Sequence, residues 1–454
     1  MGESADARMM TEEPRRAILV IAASLIVAIL ISHAQTFIDM AWCAGLGSAA
    51  LSAVNLSGPL CWIVLDVGIG LGVGASTAVA RRLGAGERDR ADSMAVQSLL
   101  LAVTAAVLTM VVLLPSCDIL LRYLADGGDI GLCREYVLPQ ILFSVPIVMH
   151  GMVIGLLRAE GAGRRVLRLS VVSAALNLVL VLILIYVLGL GLTGASLATC
   201  ISFLVPVLVA LCWYAGGRMH VRMSLRGARV RPDEIKEVAY VGVPHMLELL
   251  AIGILMIPQN MLVMRTGGDI GMVLTMTPFK FILLAAIPAQ GLAEAMIPVT
   301  SATQGAGNMA GTLDGFRYTV LMASVVSLAL SAALFILADP VSWVYTYSDD
   351  MVPYHDEFVR VLRMFSIIVF LTAMTTVASS IMQSLRRPVL ATTAMFVRES
   401  VFIGMYVVAS GIGMEAIYHS MVAGMLFGMV LMCTLAWLCI RNTDFGTKGP
   451  QRIR

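Results

Sequence analysis

Four oxygen-bearing side chains set inside long apolar runs are the residues of this chain best suited to chemistry: Asp39, Asp66, Asn177 and Thr199. Asp39 stands near the end of the first apolar run, in Phe37-Ile38-Asp39-Met40-Ala41-Trp42. Asp66 stands midway along the second, and Asn177 and Thr199 in the fifth and sixth. A charged side chain at the centre of a bilayer costs ~2.5–3.5 kcal/mol even on the lenient insertion scale, so a carboxylate kept there needs a proton, a cation or a water-filled cavity. Carboxylate, amide and hydroxyl oxygens together would suit a hard cation such as Na⁺, and the carboxylate alone would suit a proton. Each has a plainer reading as well. Asp39 could reach interfacial water from a helix end, and Asn177 and Thr199 could be helix-packing hydrogen bonders.

A second polar set lies later in the chain: Glu248, Asn260, Lys280, Glu294, Arg398 and Glu399. Opposite charges at membrane depth are expected to neutralise one another across helices, because an unpaired ion would be expelled or discharged. A buried Glu–Lys or Glu–Arg lock and a substrate or proton site are both open readings of this set. His33, His150 and His419 are expected to be packed or interfacial. The chain has no HExxH, no GxSxG elbow, no Walker motif and no paired Asp-rich motif, which argues against an enzyme and against ATP-driven pumping. No resident cofactor or metal is expected beyond a transient coupling ion, with Asp39 the position for Na⁺ if Na⁺ is used. The eight Cys residues form no CxxC pair, and Cys117 and Cys133, which flank one outer loop, are expected unpaired.

The elements that must carry these residues are transmembrane helices. With 59% hydrophobic and 13% charged residues and a mean hydropathy of +0.89, the chain is not an ordinary soluble protein. Its 454 residues suit about twelve spans of ~20 residues. Apolar runs near 17–42, 48–82, 92–115, 131–158, 165–188 and 192–215 make one set. Runs near 236–264, 270–303, 314–338, 355–384, 388–411 and 414–440 make the other. Arg15 and Arg16, Arg81, Arg82, Arg88 and Arg90, Arg158, Arg164, Arg165 and Arg168, and Arg386 and Arg387 all fall on alternate loops. The loop between the two halves carries Arg218, Arg222, Arg226, Arg229, Arg231 and Lys236, and Arg441, Lys448, Arg452 and Arg454 follow the last run. The opposite loops hold acids such as Asp118, Asp126, Asp129, Asp349, Asp350 and Asp356. The positive-inside rule then puts both termini in the cytoplasm of a multi-pass protein of the cell membrane.

The two sets of spans are copies. Ala75-Ser76-Thr77-Ala78-Val79-Ala80-Arg81-Arg82-Leu83-Gly84-Ala85-Gly86 and Ile297-Pro298-Val299-Thr300-Ser301-Ala302-Thr303-Gln304-Gly305-Ala306-Gly307 each close an apolar run before a polar turn. On the same register Asp39 aligns with Asn260, and Asn177 falls opposite Glu399. Six spans per copy make the copies parallel, with an expected pseudo-twofold axis along the membrane normal. The expected parts are a tail at 1–14, an N-lobe at 15–215, a basic linker at 216–235, a C-lobe at 236–441 and a tail at 442–454. The alternating glycines from Gly68 to Gly74 contain a superficial GxGxxG. With no βαβ context, they read as a stripe for close helix packing.

Several short segments resemble the multidrug and toxic compound extrusion (MATE) family, above all its prokaryotic branch of DNA-damage-inducible protein F-like members. They are Trp42-Cys43-Ala44-Gly45-Leu46-Gly47, Ala80-Arg81-Arg82-Leu83-Gly84-Ala85-Gly86, Leu157-Arg158-Ala159-Glu160-Gly161, Gly194-Ala195-Ser196-Leu197-Ala198-Thr199 and Gly305-Ala306-Gly307-Asn308. The resemblance implies two six-helix lobes and alternating-access export of amphipathic, often cationic compounds, coupled to inward H⁺ or Na⁺ flow. It implies coupling at Asp39, with Asn177 and Thr199 beside it. One position departs from the family pattern: the second acid of the fifth span is replaced by Val181. Coupling would then rest on Asp39 alone, on Asp66, or on Glu248 and Glu399. The rivals are a flippase for lipid-linked oligosaccharides or lipids and a degenerate transporter acting as a membrane scaffold. The expected partners are small amphipathic molecules and the bilayer, with no nucleic acid, and the chain is expected to be a monomer.

Overall fold

The computed structural model describes residues 5–125, 129–223, 230–347 and 351–443, and among these it is entirely helical. Asp126, Asp349, Asp350, Arg226, Arg229, Lys448, Arg452 and Arg454 lie outside the described residues, as do linker positions 224–229 and nearly all of the C-terminal tail.

Helices α1 (Ala5–Glu12), α2 (Pro14–Ala44), α3 (Ser48–Gly84), α4 (Arg88–Ala125), α5 (Ile130–Leu142), α6 (Ser144–Ala159), α7 (Gly163–Leu182) and α8 (Gly191–Ala215) form the first repeat. The second repeat runs through α9 (Pro232–Gly305), α10 (Met309–Ile336), α11 (Ala338–Thr346), α12 (His355–Phe365), α13 (Ile368–Ser384), α14 (Pro388–Ser410) and α15 (Met414–Arg441). Among the described residues ten helices are long and apolar enough to cross a membrane, and α5 with α6, bent by 57° where they meet, make an eleventh span. Pro139 and Pro146 flank that bend, each removing a backbone donor. The 74-residue α9 would reach roughly 110 Å at ~1.5 Å per residue, far beyond the ~30 Å hydrocarbon core. It breaks at Gly268 (φ 60°, ψ −156°), a left-handed backbone that favours glycine, and its two limbs supply two spans. Twelve spans result. Wide apolar surfaces, with Leu108, Val111 and Val112 of α4 and Leu321 and Val325 of α10 all exposed, belong against lipid.

The chain divides into two compact units. The first is Met1–Leu250 with Pro298–Gly311, and the second is Ala251–Ile297 with Thr312–Arg454. Within the first unit the glycine stripe separates into two faces. A β-carbon at Gly68 or Gly72 would strike the backbone of Val148 or Gly151 on α6. At Gly70 or Gly74 it would strike Met246, or Val238 and Gly242, on α9. Residues four apart share a helix face, so the alternation lets α3 press backbone to backbone on both neighbours.

The two repeated motifs themselves meet in this unit. Gly84 abuts the Ala302 carbonyl, Gly305 abuts the Arg81 carbonyl, and Arg81 Nη2 donates to Gln304 Oε1 at 2.7 Å. Their turns match as well. Gly86 (φ 75°) and Gly307 (φ 72°) occupy equivalent left-handed positions, and the amides of Glu87 and Asn308 close onto the Arg82 and Thr303 carbonyls. Arg82 adds ion pairs to Glu87 at 2.9 Å and Glu237 at 2.6 Å.

Candidate functional site

In the first unit α2, α7 and α8 bring three of the expected residues together. Asp39 has the Asn177 side chain as a hydrogen-bond partner, and Asn177 Nδ2 donates to Thr199 Oγ1 at 3.4 Å. One turn earlier on α7, Ser173 Oγ donates to the Ser202 carbonyl of α8 at 2.8 Å, fixing the register of the two helices. Asn177 is fully buried, and Asp39 Oδ1 and Asn177 Oδ1 are buried acceptors with no protein donor. Such oxygens are costly to leave unmet and can receive a proton or a cation. Val181, 1% exposed, holds the place of the second family acid and makes that side of the site apolar.

Sequence reasoning did not find the residues that frame this cluster. Tyr136 and Gln140 of α5 share a side-chain hydrogen bond, and Tyr136 also senses Asp39 electrostatically. Beyond Leu182 the helix widens into a π turn, Ile183–Val187, which carries Tyr186 over the end of α2. There Tyr186 OH donates to the Trp42 carbonyl at 3.0 Å, and the two rings meet edge to face at 6.0 Å. Gly45 leaves room for that hydroxyl. Single π turns often mark functional sites, but the apolar run Ile183-Leu184-Ile185 gave no sign of one.

Asp66 is not part of this group. It lies midway along α3, about twelve residues deeper than Asp39 and so roughly 18 Å further from the shared helix ends. Its electrostatic partner is His245 of α9, whose Nδ1 is 3.3 Å from Glu248 Oε2. Glu248, expected among the polar residues of the second half, is thus paired inside the first unit, where it is 7% exposed.

In the second unit Glu399 sits at the middle of α14. Arg398 Nε donates to its Oε1 at 3.0 Å, Arg398 Nη2 reaches the same oxygen, and Gln259 Nε2 of α9 donates to Oε2 at 3.2 Å. Both ion-pair side chains are buried, at 13% and 7% exposure. Gly428 of α15 gives the Arg398 stem its space. Asn260, beside Gln259, keeps a buried Oδ1 without a donor. Lys280 is exposed, and Glu294 accepts from Gln290 at 3.1 Å instead of from a lysine. All eight cysteines, Cys117 and Cys133 included, are free.

A duplicated set of membrane-spanning helices with uncompensated oxygens at depth defines a polytopic membrane carrier. Comparison with known proteins makes the class specific. The MatE family profile matches residues 23–183 and 244–408, once per repeat, and the chain belongs to that family of MATE transporters. Among curated relatives it is 22% identical over 306 residues to the multidrug export protein MepA of Staphylococcus aureus, covering 67% of each chain. It is 25% identical over 334 residues to the probable multidrug resistance protein NorM of Thermotoga maritima, covering 70% of this chain and 69% of that one. Among solved structures, an outward-facing multidrug resistance MATE transporter of the MOP superfamily superimposes with a TM-score of 0.91 at 27% identity. That match covers 97% of this chain and 99% of the other. A MOP superfamily transporter from Pyrococcus furiosus, whose binding pocket of reverse polarity is described as suggesting a different function, also gives 0.91 at 26% identity, with the same coverage.

Proposed function

We propose that this chain exports amphipathic, often cationic compounds from the cytoplasm by alternating access, driven by inward flow of H⁺ or Na⁺ through Asp39. The observation that carries this is the half-buried Asp39 carboxylate, its Oδ1 enclosed, met by the Asn177 amide with Thr199 behind it. An ion entering from outside neutralises Asp39 and removes the cost of holding a charge among α2, α7 and α8; the neutral cluster repacks and favours release of substrate outward. The ion then leaves toward the cytoplasm, the side to which the arginine-bearing loops belong. Each elementary charge moved inward is worth about 2.3 kcal/mol per 100 mV, roughly a 50-fold gradient.

An anionic lipid-linked cargo would call for free basic groups at depth. Of the two deep bases, Arg398 is already bonded to Glu399, which leaves Lys280 as the base available to an anion and favours a cationic cargo. The test is dye uptake into inside-out proteoliposomes under imposed pH or Na⁺ gradients. A cationic dye should accumulate and an anionic one should not. Driven accumulation should vanish in Asp39→Asn, and full accumulation by that variant would remove Asp39 from the mechanism.

A further inference from the structure

Lys280 holds a charge where a bilayer is least able to receive one. Arg265 and Asp269, both exposed, flank the Gly268 break of α9 and place that break at the membrane surface. Lys280 follows Gly268 by twelve residues, roughly 18 Å along the helix at ~1.5 Å per residue, and so lies close to the midplane of a ~30 Å hydrocarbon core. At that depth its four-carbon stem cannot carry the ammonium to either interface. Lys280 is exposed all the same, and it makes no ion pair among the described residues.

Its place around the helix adds a second constraint. Leu274, Pro278 and Ile282 are buried, and Leu274 and Ile282 belong to the apolar core that holds Phe358, Phe365 and Phe402. At about 100° per residue Lys280 points nearly opposite to that seam, on a face it shares with Val273, Met276, Leu283 and Leu284. Val273, Leu283 and Leu284 are exposed as well. The apolar members of this face would suit lipid, but an uncompensated ammonium at the midplane needs water. The face therefore borders water, with one cation at the centre of an apolar surround.

We propose that Lys280 is a cargo-binding residue of the second unit, whose ammonium receives a carboxylate carried by an amphipathic cation while Val273, Met276, Leu283 and Leu284 take the apolar part. The proposal rests on the reading of this chain as an exporter and narrows its cargo to zwitterionic amphiphiles. A single ammonium supplies one charge and three donors, which matches one carboxylate and falls short of a pyrophosphate. The apolar surround excludes water from the bound pair and strengthens it. Arg398 cannot take this role, because its donors are already on Glu399.

The experiment compares tetramethylrhodamine with its methyl ester, which share a cationic ring system and differ in whether the carboxylate is free. Each dye is titrated into wild-type protein and variants in detergent and read by fluorescence anisotropy. In Lys280→Gln the ratio of acid to ester affinity should fall about five- to tenfold, through loss of acid binding alone. Lys280→Arg should keep most of the wild-type ratio, and unchanged ester binding shows that both variants are folded. In proteoliposomes of mixed orientation, Lys280→Cys should react with a membrane-impermeant maleimide above the wild-type background. A ratio left unchanged by Lys280→Gln, an equal loss for both dyes, a Lys280→Arg defect as large as that of Lys280→Gln, or no added labelling of Lys280→Cys overturns the assignment. Gradient-driven uptake of the ester by wild type leaves the exporter standing in each of those cases. Uptake of neither dye by wild type under pH or Na⁺ gradients overturns the exporter as well.

Discussion

The two repeats carry the same pair of chemical groups on exchanged spans. In the first, the acid is on the first span and the amide on the fifth: Asp39 on α2, Asn177 on α7. In the second, the amide is on the first span and the acid on the fifth: Gln259 on α9, Glu399 on α14. In both, the amide hydrogen-bonds to the acid. The difference is Arg398, which donates two hydrogen bonds to Glu399 and has no counterpart at the Asp39 cluster, where Thr199 stands behind the amide. A guanidinium does not give up its proton in a protein, so Glu399 faces a permanent cation. The Asp39 carboxylate is met instead by the Asn177 amide, and under the proposed function it is the group whose charge changes when the coupling ion binds. On that proposal one site acts as a brace and the other as the switch.

The sharpest way to break this contrast is to neutralise each acid in turn. Asp39→Asn should lower gradient-driven dye accumulation from about 50-fold per 100 mV to unity. Glu399→Gln should leave it within about threefold of wild type, because a glutamine still accepts from Arg398. Loss of drive in Glu399→Gln with drive intact in Asp39→Asn would reverse the assignment of brace and switch.

The stability of the brace is the next point of attack. Arg398→Met leaves Glu399 buried without its cation and should cost about 3–5 kcal/mol, read as a lower unfolding midpoint in detergent. Arg398→Met with Glu399→Leu removes both charges and should recover most of that loss. A double variant no more stable than the single one would mean the pair does more than neutralise itself.

Smaller effects should follow from the amides. Asn177→Leu and Gln259→Leu each remove one hydrogen bond to an acid, worth about 1.5–3 kcal/mol. The first should weaken driven transport severalfold, and the second should shift only the unfolding midpoint, since Arg398 still holds Glu399. Equal transport defects in both would erase the functional difference between the repeats.

How much of this was legible in the sequence depends on the signal each feature leaves. Helix length and apolarity announced the spans, and the Arg81–Gly86 and Gln304–Gly307 segments announced the duplication, because matching turns need matching glycines. Asp39, Asn177 and Thr199 stood out because polar oxygens are rare in apolar runs, and the adjacent Arg398-Glu399 could be read directly as a pair. His245 and Gln259 were overlooked. His245 stands three residues before Glu248, a helical spacing that could have shown it, but Gln259 was masked by its neighbour Asn260. Tyr186 depends on a π turn, and Asp66 with His245 on contact between helices roughly 180 positions apart, which no local pattern records. The grouping of Glu248 with Asn260 and Glu399 followed repeat boundaries. The compact units instead divide inside α9, near Leu250.

Near the basic helix ends a third acid sharpens the contrast with a modest effect. Glu160, just past α6, is 3% exposed, and its Oε2 accepts the His220 amide at 2.7 Å, which straps the start of the linker to the first unit. Asp92 holds the Arg222 amide in the same way at 2.8 Å. Burial pushes the Glu160 carboxyl up to about 7, against the His220 hydrogen bond that favours its ionised form. In the folded protein Glu160 therefore keeps its proton up to about pH 7, whereas in the unfolded chain it loses it near the ordinary glutamate value of about 4.3. Between those limits the native state binds more protons, so stability falls as pH rises. Glu160→Gln should remove this slope. Its unfolding midpoint should match wild type near pH 5 and exceed it by a few degrees at pH 8, with driven transport unchanged. A parallel pH dependence in the two proteins would mean that Glu160 does not change its protonation across this range, and that the linker is held by a fixed charge.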